Sequence, residues 1–596
     1  MTDQYTRPLP IIRTLALNQI VFNHLLDHDI DAFVASIVAR RVSDPDQALN
    51  ALQLSLSNLS SPFLMKDMGK ATDRLVQALV NQEVIGIETD HDCDGQTSHA
   101  ILFEALSAIF GHPESNIRSY IGHRLKEGYG LSKALTQRIL ADEIKPSLII
   151  TADNGSTDEL QIALLKQQGI DTIVTDHHAI PHEGVPKSAV AVLNPTQSGC
   201  GYGDPFIAGC MVAWLFMAAT RSKLKQQKLL PESAIQLSDL LDFVAVGTVA
   251  DCVSMSKSLN NRIVAGFGMK RIAQQKRKCW KAFAEHFHKD INSELLGFII
   301  APLLNSDGRL SDALSSVSFL LSKHDDEVYD WVEFLSKQNN ERKAVQRQMT
   351  DKAMSAAASA YMAGRKSICV YLDDGHAGVH GISASRIKDA FGLPTILFSP
   401  KMGEDEIITG SARSIDGLNI KHMLDEVANT PDIIVKYGGH TGAAGLTIYK
   451  PKFDEFYALF DQYVKVELKR LQLAAEPVIY TEGALKRHEI TLDTVDKIAK
   501  LEPFGRQFEA PVFCNTARIS SLRFVGKSNE HLQMRLTIEG ILLKAIWFFA
   551  HEFNHANDFA EGDEVSVVYR LDKECFKDRL YLSAKVVYIE PSGANA

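Results

Sequence analysis

At 596 residues the chain is too long for one hydrophobic core, and the usual sizes of domains suggest roughly three or four of them. Its composition, 45% hydrophobic and 23% charged, is that of an ordinary globular protein and argues against a disordered or fibrous one. The net charge of −10 excludes a surface that is basic throughout, so any binding to nucleic acid would need a local basic channel.

The chain carries no sign of export or of a membrane anchor. Its first residues, MTDQYTRPLP, are acidic and polar where a secretory signal would have a basic start and an apolar run. The longest apolar stretch, residues 206–219, is too short to cross a bilayer and contains Gly209, so we expect a buried helix there. The eight cysteines include no CxxC pair, which argues against a zinc site or a disulfide framework. We therefore predict a soluble cytoplasmic protein with reduced cysteines in its core.

The first half of the chain predicts helices followed by an α/β domain. Residues 1–80 are predicted to be helical, with Pro45 and Pro62 as interruptions. From Val84 onward, short apolar runs alternate with helical stretches, which is typical of a parallel sheet wrapped by helices. The predicted strands are 84–89, 116–121, 147–151, 171–175 and 189–193, and the predicted helices between them are 97–110, 134–140 and 160–168.

The second half predicts a helical region, a second α/β domain and a β-domain. Apolar runs at 368–372 and 394–398, followed by IITGSARS and IIVKYGGH, predict the strands of the second α/β domain. After Pro503 the short β-rich runs predict a small barrel, for which the OB-fold is one candidate. The predicted division is a helical region (1–80), a first α/β domain (81–335), a connecting helix (336–362), a second α/β domain (363–475) and a C-terminal β-region (476–596).

Three carboxylates at alternate positions, Asp90, Asp92 and Asp94, follow the first predicted strand. On an extended segment they would point toward one place at the carboxyl end of the sheet, where α/β proteins bind ligands. The same DxDxDG pattern opens a calcium-binding EF-hand, but that loop needs a glutamate at its twelfth position, which here is Ile101, and a preceding helix rather than a strand. A solvated acidic turn remains the structural alternative.

Further acids and histidines follow later apolar runs. Asp153 ends the run 147–151, Asp176, His177 and His178 end 171–175, and Asp251 follows FVAVGTVA. Each one alone is more simply explained as a helix cap or a loop residue. Together they form a mixed oxygen and nitrogen set that suits Mn²⁺ or Mg²⁺, and the lack of cysteine ligands disfavours structural zinc. Cys93 and Cys252 lie beside these residues and are expected to be packing residues.

Taken together, the DxDxDG strand end, ADNG, the Asp176-His177-His178 triplet and GTVAD resemble the motifs of the DHH phosphoesterase family. The stretch 438–445, GGHTGAAG, is similar to the signature of the DHH-associated domain. Four more segments resemble the branch of this family that degrades single-stranded DNA: RLKEGYGL, APLLNSDGRL, GVHGISASRI and GSARSIDGL. The resemblance implies a parallel-sheet DHH catalytic domain, a long connecting helix, an α/β DHH-associated domain and a C-terminal OB-fold-like β-barrel.

The resemblance also implies roles for individual residues. It implies two Mn²⁺ or Mg²⁺ ions held by Asp92, Asp94, Asp153, His177 and Asp251, with Asp90 beside them in the same metal site. His178 would lie against the scissile phosphate. The implied phosphate-binding residues are Arg124, Arg309, Ser411, Arg413 and His440, with the arginines and Ser411 expected in loops, because guanidinium groups suit phosphate oxygens. Surface salt bridges are the alternative explanation of the arginines.

Three segments depart from the family pattern. Glu88 stands where many relatives carry histidine, which we expect to affect metal preference. NSDGR (305–309) replaces the commoner NAxGR, and PFGRQFEAP (503–511) stands where a GNP-like stretch is usual. The last change lies at the junction with the β-region and concerns the placement of that domain.

The activity implied by the resemblance is 5′→3′ digestion of single-stranded DNA to mononucleotides, in recombination and repair. One alternative is a phosphodiesterase of short oligoribonucleotides or cyclic dinucleotides, and another is an inactive DHH-like replication scaffold that only binds DNA. The β-region favours the nuclease over the former, and the complete set of acids and histidines favours it over the latter. The expected partners are single-stranded DNA and a helicase or single-strand-binding protein, with no membrane. The candidates for exposed residues of the β-region that help bind a strand are Arg523, Lys527, Trp547 and Arg570, and ordinary positions in the core and surface of a barrel are the alternative for each.

Overall fold

The structure, a computed structural model, describes residues 7–123, 127–230, 236–310, 314–401, 403–577 and 579–592; the side chains of 307–310, 405, 554 and 576 are not described. The chain divides into two units. The N-terminal unit comprises residues 18–342 and 501–509, and the C-terminal unit comprises residues 1–17, 343–500 and 510–596. Among the described residues, every helix is too short or too polar to cross a bilayer.

The first part of the chain is helical, as predicted, but begins with a short strand. This strand, β1 (Ile11–Thr14), is followed by α1 (Gln19–Asp27), α2 (Ala32–Val38), α3 (Pro45–Leu52) and α4 (Met68–Val80). The side chains of Asn18, Asp31 and Asp44 cap the first three helices by accepting backbone N–H groups. Strand β1 pairs with residues 478–481, and a partner so far away in sequence leaves no local signal.

A five-stranded parallel sheet forms the centre of the N-terminal unit. All five predicted strands are present: β2 (Ile85–Thr89), β3 (Ile117–Ile121), β4 (Leu148–Ala152), β5 (Asp171–Thr175) and β6 (Ala191–Leu193). Their spatial order is β3-β2-β4-β5-β6 and every pair is parallel. The helices that follow β2, β3 and β4 in the chain are α5 (Cys93–Glu104), α6 (Lys133–Ala141) and α7 (Glu159–Gln167). The carboxyl ends of β2, β4 and β5 therefore lie side by side.

A layer of helices packs beside this sheet. It begins with α8 (Gly209–Gln226) and α9 (Leu241–Ala250), which both pack against α5. Helix α8 is the buried helix expected at the longest apolar stretch. The region continues with α10 (Leu259–Ala273), α11 (Lys278–Phe287), α12 (Ser293–Leu295), α13 (Ala301–Leu310), α14 (Leu314–Leu321) and α15 (Asp325–Met362). The last is the long helix, which begins at Asp325 rather than at residue 336.

The C-terminal unit contains a mixed sheet of order β10-β11-β9-β8-β7. Its strands are β7 (Ile368–Tyr371), β8 (Thr395–Lys401), β9 (Glu404–Arg413), β10 (Ile434–Gly439) and β11 (Ala443–Tyr449). Its helices are α16 (His380–Phe391), α17 (Ile420–Ala428) and α18 (Phe453–Leu471). Strands β7 and β8 are parallel and the other pairs are antiparallel. The buried rings of Phe398, Phe456 and Phe460 form the centre of its core.

A closed five-stranded barrel ends the chain, as predicted. After β12 (Val478–Thr481), the partner of β1, and α19 (Leu492–Ala499), the barrel strands are β13 (Phe513–Val525), β14 (His531–Ile538), β15 (Ile541–Trp547), β16 (Glu564–Phe576) and β17 (Arg579–Pro591). The expectation that Trp547 is exposed is wrong, because it pairs with Leu532 and both side chains point into the barrel. The next two residues, Phe548 and Phe549, are exposed and about half accessible, as is Tyr581 on β17.

All eight cysteines are free thiols, as expected, but they are not all in the core. Cys93, Cys210, Cys279 and Cys369 are buried, whereas Cys252 and Cys575 are exposed. The interpretation of Cys252 as a packing residue is therefore wrong. It follows the end of α9 with a positive φ, and this turn points its side chain outward.

Candidate metal centre and phosphate-binding residues

Three neighbouring strands end in the residues that the sequence singled out. Asp90 follows β2, Asp153 follows β4, and the Asp176-His177-His178 triplet follows β5. Parallel strands bring their carboxyl ends to one edge, so side chains separated by many residues in sequence become neighbours. Asp153 adopts a left-handed backbone conformation (φ 63°), which is unusual for a residue other than glycine and marks a turn held by its surroundings.

The sequence predicted that the three acids of the DxDxDG motif lie on one extended segment, and this prediction is wrong. Asp92 is instead the N-cap of α5, and its Oδ1 accepts the N–H groups of Asp94 and Gly95 at 3.0 and 3.1 Å. Helix α5 thus begins at Cys93 instead of near Thr97, because aspartate is a strong N-cap. A Cβ atom on Gly95 would stand 2.1 Å from the carbonyl oxygen of Asp90, so only glycine allows this close turn.

Asp94 is held by the N-terminus of α8. Its Oδ2 accepts the N–H of Gly209 at 2.7 Å, and its Oδ1 accepts the N–H of Cys210 at 2.9 Å. The free N–H groups and the dipole at a helix N-terminus stabilise a carboxylate. Each oxygen uses one lone pair in this way and keeps another for a cation. Gly209 must be glycine, because a Cβ atom there would lie 2.8 Å from the Cβ and Oδ1 atoms of Asp153.

His177 joins the acids into one cluster. Its Nε2 lies 3.1 Å from Asp153 Oδ1, 3.6 Å from Asp251 Oδ2 and 3.9 Å from Asp94 Oδ2. Asp251 reaches this point from the C-terminal end of α9, not from a strand. The ring also makes a hydrogen bond to the backbone of Ile207, which leaves Nε2 facing the acids.

The charges of this cluster are not balanced by the protein's own groups. Burial, followed by the charges of Asp94 and Asp92, raises the pKa of Asp153 and of Asp251 well above the usual range. Burial lowers the pKa of His177, which favours the neutral imidazole. Asp153 Oδ1 and His177 Nε2 are buried and make no hydrogen bond to any described residue. These are the properties of a site whose acids need cations.

The arrangement fits divalent metal ions. Three overlapping groups of side chains have ligand atoms within 4.8 Å of one another: Asp153, His177 and His178; Asp94, His177 and Asp251; and Asp90, Asp92 and Asp153. Since the groups share Asp153 and His177, they form one continuous site. All six candidate metal ligands are thus brought together, and their carboxylate and imidazole donors suit Mn²⁺ or Mg²⁺.

Asp176 positions the histidines and is in none of these groups. Its Oδ1 accepts the N–H groups of His177 and His178 and lies 2.8 Å from the Nδ1 atom of His178, and its Oδ2 accepts the N–H of Ser156. Burial would raise the pKa of Asp176, but its bond to His178 outweighs this and lowers it. Burial would likewise lower the pKa of His178, yet the bond and charge of Asp176 raise it to about 10. His178 is therefore a cation whose side chain is half exposed.

Two neighbours of the site, Asn305 and Tyr129, were not assigned roles by the sequence. Asn305 of α13 accepts the N–H of Cys93 at 2.8 Å, which braces the turn of the DxDxDG motif. Tyr129 is exposed and its ring lies 4.9 Å from that of His91, which in turn contacts Asp90. Both lie in segments that resemble the family, NSDGR and EGYGL, and that resemblance is the only signal that could have found them.

Glu88, a departure from the family pattern, lies beneath the site. It is fully buried on β2, and its Oε1 accepts the side-chain N–H of Asn154 at 3.1 Å. Burial, and then the charge of Asp158, raises its pKa well above the usual range, which favours its protonated form. It belongs to none of the three groups above, and its influence on metal preference stays a prediction.

The sequence predicted loops for the arginines and Ser411 of the candidate phosphate-binding set, but the structure does not place all of them in loops. Arg124 is outside the described residues, and Arg309 lies in α13, where its side chain is not described. Ser411 and Arg413 are on strand β9. The residues of GSAR keep the two-residue alternation of a strand, so β9 extends to Arg413, its last residue.

Within the C-terminal unit, the sheet brings Ser411, Arg413 and the turn of His440 together. Ser411 pairs with Gly445, Arg413 pairs with Ala443, and the N–H of Ser414 donates to the carbonyl of Gly442. The Arg413 guanidinium donates to the carbonyl of Ala412 at 2.8 Å and packs against Gly381, where a Cβ atom would stand 2.1 Å from its Nη2.

Three family models match the chain. They are the DHH family, N-terminal domain (residues 84–248), the DHHA1 domain (364–466) and the RecJ OB domain (481–588). The chain is 34% identical over 556 residues to the single-stranded-DNA-specific exonuclease RecJ of Haemophilus influenzae, covering 91% of this chain and 94% of that protein. It is 32% identical to the Escherichia coli protein of the same name, over 88% of this chain and 90% of that one.

The chain belongs to the RecJ family. Solved structures of this family share its fold. The crystal structure of RecJ in complex with Mn²⁺ from Thermus thermophilus has a TM-score of 0.78 at 23% identity and covers 100% of this chain and 81% of that one. A crystal structure of exonuclease RecJ bound to manganese has a TM-score of 0.55 at 28% identity, over 67% of this chain and 95% of that one.

The close approach of α8 to Asp153 makes a testable prediction about metal binding. Gly209→Ala is expected to lower Mn²⁺ affinity about 10- to 100-fold, because the added methyl group displaces Asp153 and disturbs the N–H bond to Asp94. Titration calorimetry with Mn²⁺ measures this. Gly297→Ala is the matched control, since the nearest neighbour of its Cβ would be at an ordinary 3.5 Å. Equal affinities for the two variants would contradict the geometry described here.

Proposed function

We propose that this RecJ-family chain is a single-strand-specific DNA exonuclease that works from the 5′ end and releases 5′-mononucleotides. The observation that carries the proposal is the continuous cluster of carboxylates and imidazoles around Asp153 and His177. The proposal is supported by relatives named single-stranded-DNA-specific exonucleases over nearly the full chain. Roles in recombination and repair follow from the same relationship.

Six residues would hold the metal ions: Asp90, Asp92, Asp94, Asp153, His177 and Asp251. When bound, two Mn²⁺ or Mg²⁺ ions supply an activated water and stabilise the departing 3′ oxygen. The buried acids lose their mutual repulsion once cations lie between them, so the cluster is organised by the ions that it binds. Neutral His177 supplies a nitrogen ligand, and its hydrogen bond to the backbone of Ile207 keeps the ring in place.

His178 acts on the substrate in this proposal. Its half-exposed imidazole is held protonated by Asp176, so it presents a positive charge and an N–H donor to a scissile phosphate. Asp176 is buried and fully hydrogen-bonded, which fixes the direction of the ring before the substrate arrives. No side chain of the cluster needs to form a covalent bond to the substrate.

The terminal phosphate defines where digestion begins. A 5′-phosphate carries more charge than an internal phosphodiester, so an arginine can distinguish the end from the rest of the strand. Arg413 and Ser411 on β9, together with His440, are the candidates on the C-terminal unit, and Arg124 and Arg309 are those on the N-terminal unit. The barrel would bind the strand beyond this point without supplying catalytic groups.

The exposed part of the barrel suits contact with bases. Phe548 and Phe549 are exposed, and each ring centre lies 5.1 Å from that of His531. Arg523 and Lys527 are exposed on the adjoining strand and turn. Aromatic rings with nearby positive charges bind single strands with little regard to sequence.

The wider context follows from the substrate. Since duplex DNA must first be opened, a helicase or a single-strand-binding protein is the expected partner, and the cytoplasm is the expected location. We also propose the domain limits 1–80, 81–335, 336–362, 363–475 and 476–596. The three family matches fall inside the second, fourth and fifth of these.

Removing a central metal ligand is expected to abolish hydrolysis. Asp153→Ala and His177→Ala should reduce digestion of 5′-labelled single strands by about a thousandfold or more while circular dichroism remains that of the wild type, because both residues lie at the end of an intact sheet. Chelation of the metal should do the same to the wild type. The exposed residues Asp290 and His182 provide matched alanine controls. Substantial activity of either variant with Mn²⁺ would contradict the proposal.

Recognition of the 5′ end is tested by comparing substrates that carry a 5′-phosphate with substrates that carry a 5′-hydroxyl. Arg413→Ala should reduce the preference for a 5′-phosphate over a 5′-hydroxyl and leave Mn²⁺ affinity unchanged, because the guanidinium belongs to β9 and to none of the metal groups. Rates on both substrates are compared at one salt concentration, since phosphate contacts depend on salt. Arg13→Ala, at an exposed arginine of the same unit, is the control. An unchanged ratio, or digestion from the 3′ end, would contradict this assignment.

The role of the barrel is tested by substrate length. A chain that ends at Glu509 lacks the barrel and should bind long single strands at least about tenfold more weakly, because it has lost the stacking rings and basic groups. It should still hydrolyse short oligomers, since all six metal-ligand candidates remain. A length series of 5′-labelled oligomers measures both effects. Wild-type affinity of the shortened chain for long strands would rule out a DNA-binding barrel.

A further inference from the structure

The segment 501–509 belongs to the N-terminal unit although it is flanked in sequence by the C-terminal unit. The buried guanidinium of Arg262 donates to the carbonyl oxygens of Leu501 and Pro503 at 3.0 and 2.9 Å. It also stacks 3.9 Å from the ring centre of Phe508. Burial lowers the pKa of Arg262 to about 10, and these contacts together with the charge of Glu502 stabilise the guanidinium. These contacts of Arg262 attach the segment firmly to the rest of the N-terminal unit.

The middle of this segment pairs with the loop that follows Asp251. The N–H of Met255 donates to the carbonyl of Arg506 at 2.9 Å, and the hydroxyl of Ser254 donates to Gln507 Oε1 at 2.6 Å. Gly505 packs against Met255 so closely that a Cβ atom would stand 2.8 Å from its Cγ. These contacts fix the position of the backbone of Arg506 relative to the metal cluster.

The side chain of Arg506 remains available. It is exposed, and among the described residues no carboxylate or carbonyl accepts a hydrogen bond from it. Its backbone is hydrogen-bonded to Met255, four residues after the candidate metal ligand Asp251. An exposed guanidinium with no protein acceptor is available to bind an anion, and in a nuclease the anion that comes to this place is the substrate.

We propose that Arg506 is a substrate-binding residue that contacts a phosphate of the DNA strand beside the metal cluster. The proposal rests on the nuclease function proposed above. A forked guanidinium can donate two hydrogen bonds to a phosphodiester and compensate its charge. The sequence departs from the family pattern at this segment, PFGRQFEAP, so the contact would be a property of this chain.

The experiment separates substrate binding from a structural role. Arg506→Ala and Arg506→Lys are compared with Lys500→Ala, a control that removes one exposed positive charge just before the segment. Binding of a fluorescent oligothymidylate is measured with chelator present, so that metal plays no part, over a series of salt concentrations. The slope of log affinity against log salt should become shallower by about 0.7 for Arg506→Ala only, as expected for one lost phosphate contact.

Activity and metal affinity complete the test. With Mn²⁺, Arg506→Ala should lose about tenfold or more in kcat/KM on single-stranded DNA, Arg506→Lys should recover part of it, and Mn²⁺ affinity should be unchanged. An unaltered salt slope and rate in Arg506→Ala would overturn the inference. A loss of Mn²⁺ affinity or of thermal stability with an unaltered slope would also overturn it and assign Arg506 a structural role. If the wild type itself does not digest single strands, the proposed function fails first.

Discussion

The mutual repulsion of buried carboxylates is the constraint on which the rest of the N-terminal unit depends. Burial, followed by the charges of neighbouring carboxylates, raises the pKa values of Asp92, Asp153 and Asp251. Such a cluster would be expelled from a protein interior unless other groups held it. The fold provides backbone N–H groups at two helix N-termini, those of α5 for Asp92 and of α8 for Asp94. What these bonds leave uncompensated is the charge that divalent cations supply.

This constraint also explains the packing of the helices around the sheet. Helix α8 can deliver its N–H groups to Asp94 only if its first residue has no side chain, and Gly209 meets that condition. Gly247 of α9 is similarly close, since a Cβ atom there would stand 2.9 Å from Asp94 Oδ1. Helix α9 is apolar and buried along nearly its whole length, and Asp251 at its C-terminal end therefore lies at the cluster. Site chemistry and core packing are thus determined by the same few contacts.

The sequence predicted the parts of this arrangement that are local. The five parallel strands were predictable because buried parallel strands are short apolar runs between helices, and Asp90, Asp153 and His177 follow them directly. The capping role of Asp92 was missed because an aspartate after a strand has the same local pattern whether it extends the strand or starts a helix. The bonds from Gly209 to Asp94 and from Asn305 to Cys93 join residues more than a hundred positions apart, and no periodicity reveals them. Trp547 was misassigned because side chains along a barrel strand alternate between the interior and the surface. A β-rich composition does not show which of the two alternating sets points inward.

The overall charge of −10 and an affinity for DNA are compatible because the negative charge is concentrated where cations bind. Without metal, a phosphodiester approaching the cluster would meet the positive ring of His178 beside several acids, and bound cations would offset the charge of those acids. The protein's own positive groups then need only guide the strand, and a few arginines on rigid elements suffice for that. Arg413 at the end of β9 and Arg506 in a segment fixed by Arg262 are of this kind: each is anchored through its backbone, so that little backbone freedom is lost when a phosphate binds. Attraction to the substrate therefore depends on where charge is placed in the fold, and the net charge of the chain does not measure it.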